Sequence, residues 1–457
     1  MHPTLLLNVV GLTPSLLGDD TPHLSALARD GWSAPIRAVT PAVTCSAQAT
    51  YLTGLAPSGH GVVGNGWYFK DLAQVMFWKQ AHGLMHGERV WDAARRRDPG
   101  VTVANMFWWF NMYSAADWSI TPRPIYTADG GKIFDTYGAP DAFKQRLIAE
   151  LGPFPFFSFW GPKAGLPCTE WIAESAIRAD RWHRPTLLLA YLPHLDYDFQ
   201  RFGPADPRVR AAVREVDAVC GRLIAHCRAE GRRVLVVSEY GLTQVTGPVH
   251  INRALREAGW LQVRDEAGTD AFDAGASDAF AVADHQIAHV HVKDAARIDD
   301  VRRLVAALPG VERVLDRREQ VTIGLDHDRA GDLVAVSAAD RWFTYYYWLD
   351  DARAPDYART VDIHRKPGYD PAELFVDPAL RAPALTVAWA LAKKTLGLRY
   401  LMKVIPLDAT LVKGSHGRPT DRPEDGPVVI SSERALQRAD VFDATDIKAI
   451  TIEHIFQ

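Results

Sequence analysis

Three apolar runs, each closed by polar or turn residues, decide most of what this chain can become. "TLLLNVVGL" (4–12), "PTLLLAYLPHLD" (185–196) and "RRVLVVSEYG" (232–241) show little polar–apolar alternation. That is the pattern of strands covered on both faces, as in a parallel sheet. Between the second and third runs lies "PADPRVRAAVREVDAVCGRLIAHCRAEGR", whose apolar residues recur at helical period with charge on the far face. "TPHLSALARDGW" (21–32) opens on Thr-Pro, continues at helical period and stops at Gly31. Strands alternating with helices predict a three-layer α/β/α sandwich around a mostly parallel sheet. In such sheets the chemistry collects beyond the carboxyl ends of the strands. Asn8 to Gly11, Asp196 to Gln200 and Glu239 to Gly241 all fall at those ends.

A length of 457 residues suits one large α/β domain or two domains. The texture changes from residue 264, where "AFAVADHQIAHVHVKDAARIDDVRRLVAAL" reads as a strand followed by a helix. The expected division is a core of residues 1–263 and 320–457 with a small α/β insert at 264–319. A net charge of −4 gives no bulk attraction for nucleic acid or an anionic membrane. The Arg-rich pieces "ARRRDPG" and "VRRLVAALPG" read as solvated helix faces. Cys45, Cys168, Cys220 and Cys227 have no metal-finger or redox spacing and read as buried free thiols of a reducing compartment. "MHPTLLLNVVG" lacks a basic n-region, and no run of ~18 apolar residues occurs. The expectation is therefore a cytoplasmic protein without a membrane span, with a homodimer among the states open to it. Tyr345 to Trp348, in "DRWFTYYYWLDD", reads as core rather than as a ligand platform.

"PAVTCSAQATYLTG" (41–54) looks like a loop feeding a helix, with Thr44 and Cys45 side by side. A hydroxyl attacks only when a base or a metal ion lowers the cost, and no histidine or carboxylate lies within the run. Help must come from elsewhere in the chain. Four blocks supply the context: "TPHLSALARDGW", "PAVTCSAQATYLTGLAPSGHGVVGNGWY", "HLDYDFQRFGP" and "GSHG" (414–417). Taken in this order they resemble the alkaline phosphatase superfamily, and most closely its type I phosphodiesterase/nucleotide pyrophosphatase branch. The resemblance covers residues 1 to about 265 and resumes over about 320–419. It implies an alkaline phosphatase-like core. It also implies Thr44 as the attacking hydroxyl held between two zinc-type metals, Asn65 on a phosphate oxygen, and Asp196 and His416 on the first metal. Cys45 occupies a position that the family fills freely.

The chain departs from the family at other ligand positions. Val10 stands where the family's first-strand aspartate is expected, Gln200 replaces a histidine, and Glu239-Tyr240 replaces an Asp-His pair. Valine ligates nothing, so a normal two-metal site cannot be built from the aligned positions. The expected cofactor is one divalent ion, zinc foremost, at Asp196 and His416 with Gln200 or Glu239. Manganese or magnesium gains if the glutamine carbonyl ligates. Replacement donors are Asn8, which shares a strand face with position 10, and His364 and Asp370 in "DIHRKPGYD", with His285 and His194 as further candidates. Arg365, Lys366 and Arg418 are expected phosphate contacts. The reading is a metal-dependent hydrolase or transferase that attacks a small phosphorylated substrate, a diester or pyrophosphate-like bond, through Thr44. The alternative is a catalytically degenerate member that binds a phosphorylated metabolite or a partner protein.

Overall fold

The computed structural model describes residues 1–128 and 131–457. Its first strand, β1 (Thr4–Val9), is buried along its whole length because neighbours flank it on both edges and helices cover both faces. The other strands of the main sheet are β2 (Trp32–Arg37), β3 (Val103–Met106), β4 (Trp118–Pro122), β5 (Thr136–Ala139), β6 (Leu187–Leu192) and β7 (Arg233–Val237). A second sheet contributes β8 (Ala279–Asp284), β9 (Ile287–Val292), β10 (Val311–Leu315) and β11 (Leu333–Ser337). The main sheet closes with β12 (Val428–Ser431) and β13 (Phe442–Asp443), giving nine strands in the order β13-β2-β12-β7-β1-β6-β3-β4-β5. Its heart is parallel: β1 pairs with β6 and β7, and β3 and β4 continue in the same direction. Antiparallel pairing is confined to the flanks, where β12 opposes β7 and β2, and β5 opposes β4.

The predicted sandwich is thus present. Helices α1 (Pro22–Asp30), α4 (Leu166–His183), α5 (His194–Phe202) and α6 (Val209–Ala229) pack together as one layer. Helices α2 (Thr44–Thr53), α3 (Val90–Arg97) and α9 (Ile447–Phe456) form the other, with α9 against β1 and β7. The boundaries follow local chemistry. Pro22 sits in the first turn of α1, and α2 stops at Gly54, whose φ of +71° a side chain would resist. The parallel register sets Asn8 opposite Tyr191 on one side and Val237 on the other, so the three strands end level. The loops that follow carry Asp196 and Glu239 to one place.

The second sheet has the order β8-β9-β11-β10 with all pairs antiparallel, and helix α7 (Ile298–Ala306) packs against β10 and β11. Here the sequence reading is corrected. "AFAVADHQIAHVHV" is not one strand but a hairpin, turning at His285-Gln286. The turn holds no Gly, Pro or Asn to announce it, and His285 itself takes the left-handed conformation, with φ of +59°. Strand β11 of the same sheet follows at Leu333–Ser337. Tyr345 to Trp348 are fully buried in the hydrophobic cluster beneath this sheet. All four cysteines are free and buried. Among the described residues no helix is long and apolar enough to cross a membrane.

Candidate active site

Thr44 is the first residue of α2, and Val43 before it offers no side-chain cap. With no cap from Val43, the first turn finds one elsewhere: Asn65 takes the Cys45 N–H, and the positive end of the helix still faces what lies in front of Thr44. The Thr44 hydroxyl lies 3.2 Å from the Tyr240 phenol and beside the carboxyl of Glu239. Glu239 is buried where the family would place a metal ligand, and two side-chain amides hold it there. Asn8 Nδ2 and Gln48 Nε2 each donate to Glu239 Oε1 at 2.6 Å, while Gln48 Oε1 accepts the Trp109 N–H at 2.7 Å. Asn8 therefore turns its nitrogen to the site, not the oxygen a metal would need. Burial pushes the Glu239 carboxyl up to about 7, against the opposing pull of the Gln48 and Asn8 hydrogen bonds and the nearby Thr44 hydroxyl. Its Oε2 makes no hydrogen bond among the described residues.

The second cluster faces Thr44 from α5 and the "GSHG" turn. Asp196, in the first turn of α5, accepts from Gln200 Nε2 at 2.5 Å through Oδ2. Gln200 Oε1 in turn accepts from the Tyr369 hydroxyl at 3.0 Å, so the carbonyl that would ligate a metal is already engaged. His416 donates from Nδ1 to the Ala42 carbonyl at 2.8 Å, which leaves Nε2 as an acceptor. That Nε2 and Asp196 Oδ1 lie 3.9 Å apart, both buried and both without a hydrogen-bond partner among the described residues. The Tyr240 ring stacks on His416 at 3.5 Å, and His285 stacks between His416 at 3.6 Å and Tyr369 at 3.7 Å. Burial raises Asp196 to about 8 and lowers His416 to about 3, so the pair is uncharged near neutrality.

Asn65 is tied on three sides. Its Oδ1 accepts the Cys45 N–H at 3.0 Å, and its backbone N–H and Nδ2 donate to Asp284 at 2.7 and 3.1 Å. Asp284 ends β8, so the second sheet braces the Thr44 loop of the first. The sequence reading missed Asp284, and also Gln48, which lies on α2 one turn beyond Thr44. The signal for Gln48 was its i+4 spacing from Thr44. Asp284 had none, because the hairpin that presents it went unread.

Thr44, Asp196, Tyr240, His285 and His416 line a small chamber of about 50 Å³. Trp78, Trp109, Phe159, Trp160 and Ile363 wall both this chamber and an outer vestibule of about 430 Å³. The vestibule carries four bases, Lys79, Arg123, Lys132 and Arg365, and His364. His364 is thus brought to the outer cleft and not to Asp196. Arg365 reaches the vestibule while pairing with Asp356 at 3.0 Å. Lys366 is buried between Asp370 and Glu373, at 2.7 Å from each, and Asp370 also caps the turn at Ala372. Arg418 pairs with Glu312 and Asp421, both at 2.7 Å. His194 bonds Thr169 within the core. The structure therefore brings Thr44, Glu239, Asp196, Gln200 and His416 together and spends Lys366, Asp370 and Arg418 on other partners.

These donors do not fit a two-metal centre. Val10 is apolar, Tyr240 presents a phenol above the His416 ring, and Glu239 is held by amides in place of a cation. Among the described residues no three His, Cys, Asp or Glu side chains converge as a metal site. Asp196 Oδ1 and His416 Nε2, orphaned side by side, do fit a single ion with two protein donors.

Over 253 residues the chain is 27% identical to an uncharacterised pyrophosphatase/phosphodiesterase of Schizosaccharomyces pombe, covering 53% of this chain and 43% of that one. Human ectonucleotide pyrophosphatase/phosphodiesterase family member 7 is 26% identical over 242 residues, 50% of this chain and 44% of its own. The chain thus spans less than half the length of these relatives. Two solved structures share the fold across nearly all of it. Phosphonoacetate hydrolase of Sinorhizobium meliloti 1021, in complex with phosphonoacetate, has a TM-score of 0.64 at 15% identity and covers 99% of this chain and 96% of its own. An inactive threonine-to-alanine form of murine ectonucleotide pyrophosphatase/phosphodiesterase 5, in complex with AMP, has a TM-score of 0.59 at 14% identity over 100% and 95%. The family model of type I phosphodiesterase/nucleotide pyrophosphatase matches residues 4–370, a span that contains the Thr44 loop, the Asp196 helix and Glu239-Tyr240. The chain belongs to that family and carries its fold.

Proposed function

We propose that this chain cleaves or transfers a phosphoric ester, a diester or pyrophosphate-like bond, with Thr44 as nucleophile and Glu239 as the group that takes the threonine proton. The observation that carries the reading is the Glu239 carboxylate, aimed by the Asn8 and Gln48 amides and placed beside the Thr44 hydroxyl. Thr44 Oγ attacks phosphorus as its proton passes to Glu239, and the ester oxygen leaves toward the vestibule. A base that titrates near 7 is well matched to that transfer at neutral pH. The positive end of α2 faces the negative phosphoryl oxygens, and Asn65, which takes the Cys45 N–H, holds the loop in place. A single divalent ion at Asp196 and His416, zinc by donor type, would supply positive charge to the transferred group. The aromatic and basic vestibule suits the remainder of an anionic substrate that carries a planar or apolar part.

The test is turnover of bis-p-nitrophenyl phosphate by wild-type, Thr44→Ala and Glu239→Gln protein, with elemental analysis of each. Turnover in the wild type that either substitution lowers more than ~100-fold supports the reading. The second reading, a degenerate member that binds a phosphorylated metabolite, is favoured by the Tyr240–His416 stack that narrows the chamber. Binding of such a ligand by calorimetry without turnover, unchanged in Glu239→Gln, decides for it.

A further inference from the structure

Helix α8 (Pro383–Thr395) and the turn after it are apolar on two opposite sides. One side is anchored: Ala390 is buried, and Val387 packs on a small cluster of Ala372, Val404 and Ile405. The other side faces outward. Leu385 and Trp389, one turn apart, are 72% and 62% exposed, and Leu396 and Leu398 just beyond are 70% and 55% exposed. A helix that is apolar all round belongs in a core or against lipid, not in water. With 13 residues it is about 20 Å long, short of the ~30 Å hydrocarbon core, so it cannot span.

Charge says what covers this ridge. The stretch "RAPALTVAWALAKKTLGLRYLMK" (381–403) carries Arg381, Lys393, Lys394, Arg399 and Lys403 and no Asp or Glu, within a chain of net charge −4. Arg399 approaches Asp356 at 3.7 Å, while the other four have no carboxylate within ion-pair distance among the described residues. The Lys393 ammonium sits 5.4 Å from the Trp389 ring centroid. A lysine stem laid along an apolar surface, with its head free to reach phosphates, is an interfacial arrangement. Over the ~10 Å at which charges act in physiological salt, this local basic cluster counts and the distant net charge does not. A second copy of the chain is a poorer occupant, because a two-fold contact through this ridge would set like-charged clusters together.

We propose that α8 and its following turn dock the protein on an anionic lipid surface, with Leu385, Trp389 and Leu396 in the interface and the lysines on the headgroups. The ridge is tied to the wall of the vestibule. Ile405 donates to the Arg359 carbonyl at 3.0 Å, two residues before Val361, and Asp377 donates to the Val404 carbonyl at 2.8 Å. Docking would therefore fix the vestibule at a set place beside the membrane.

Flotation of the full chain with phosphatidylcholine vesicles, and with vesicles that also contain phosphatidylserine, tests this. The expected result is binding to the serine-containing vesicles that high salt weakens. Leu385→Ser with Trp389→Ser should lower it at least ~10-fold without changing the melting temperature, since both side chains are exposed. Lys393→Glu with Lys394→Glu should remove the preference for phosphatidylserine. No vesicle binding by the wild type would overturn the proposal. So would binding that survives both double substitutions, or self-association in sedimentation velocity that the serine pair abolishes.

Discussion

At the scale of single residues, Glu239 is where stability and chemistry pull apart. Its carboxyl is raised to about 7 by burial, so the folded protein pays for ionising it at higher pH. Glutamine can still accept the Asn8 and Gln48 hydrogen bonds through its oxygen, and its amide nitrogen would take the place of the unpartnered Oε2. Glu239→Gln is therefore expected to melt like wild type at pH 4 and to be more stable by about 3 kcal/mol at pH 8, while turnover falls. Calorimetry at the two pH values checks the first part. Wild-type turnover should rise with pH through an apparent pKa of about 7, the ionisation that frees Glu239 as base. Cys45 offers the control. Its thiol is buried and raised well above its usual range, so Cys45→Ala should leave turnover within a few-fold where Thr44→Ala removes it. Thr44, Asp196 and His416 could be read in the sequence because their motifs sit in order along the chain. The amide clamp could not. Nothing local says that Asn8 and Gln48 meet Glu239, which lies 231 and 191 positions away.

At the scale of elements, the strands of the main sheet were legible because each is buried on both faces and so keeps an unbroken apolar run. The β8–β9 hairpin was not, since its turn relies on His285 at positive φ and on no turn-forming residue. The same hairpin carries Asp284 to Asn65 and His285 to His416, so misreading one turn hid two contacts at the site. The segment at 362–375 shows a different limit. Its basic residues look alike in sequence, yet Arg365 faces the vestibule while Lys366 is enclosed by Asp370 and Glu373. Replacing Lys366 with methionine leaves two buried carboxylates without their cation. The expected cost is ~3–5 kcal/mol in denaturant unfolding. A phosphate contact at the same position would lower substrate affinity with little loss of stability, so the two measurements separate the roles.

At the scale of the molecule, Asp196, Glu239 and Asp284 are all raised by burial, to between about 7 and about 8. In each case the folded state keeps a proton that the unfolded chain has already released. The stability they contribute is full below the ordinary carboxyl range and is lost as pH rises through about 7 to 8. The melting temperature of metal-free protein should therefore fall over that interval, and added zinc should restore part of it only at the upper end. A flat profile would mean that these carboxyls are not the ones that titrate. The topology has a further consequence, for synthesis rather than for chemistry. Strand β1 is made long before its neighbours β6 and β7, which begin at residues 187 and 233, and before α9, which covers it and begins at 447. Leu5, Leu6 and Leu7 must wait, exposed, until α9 has been made, so the nascent protein depends on whatever shields that strand in the meantime.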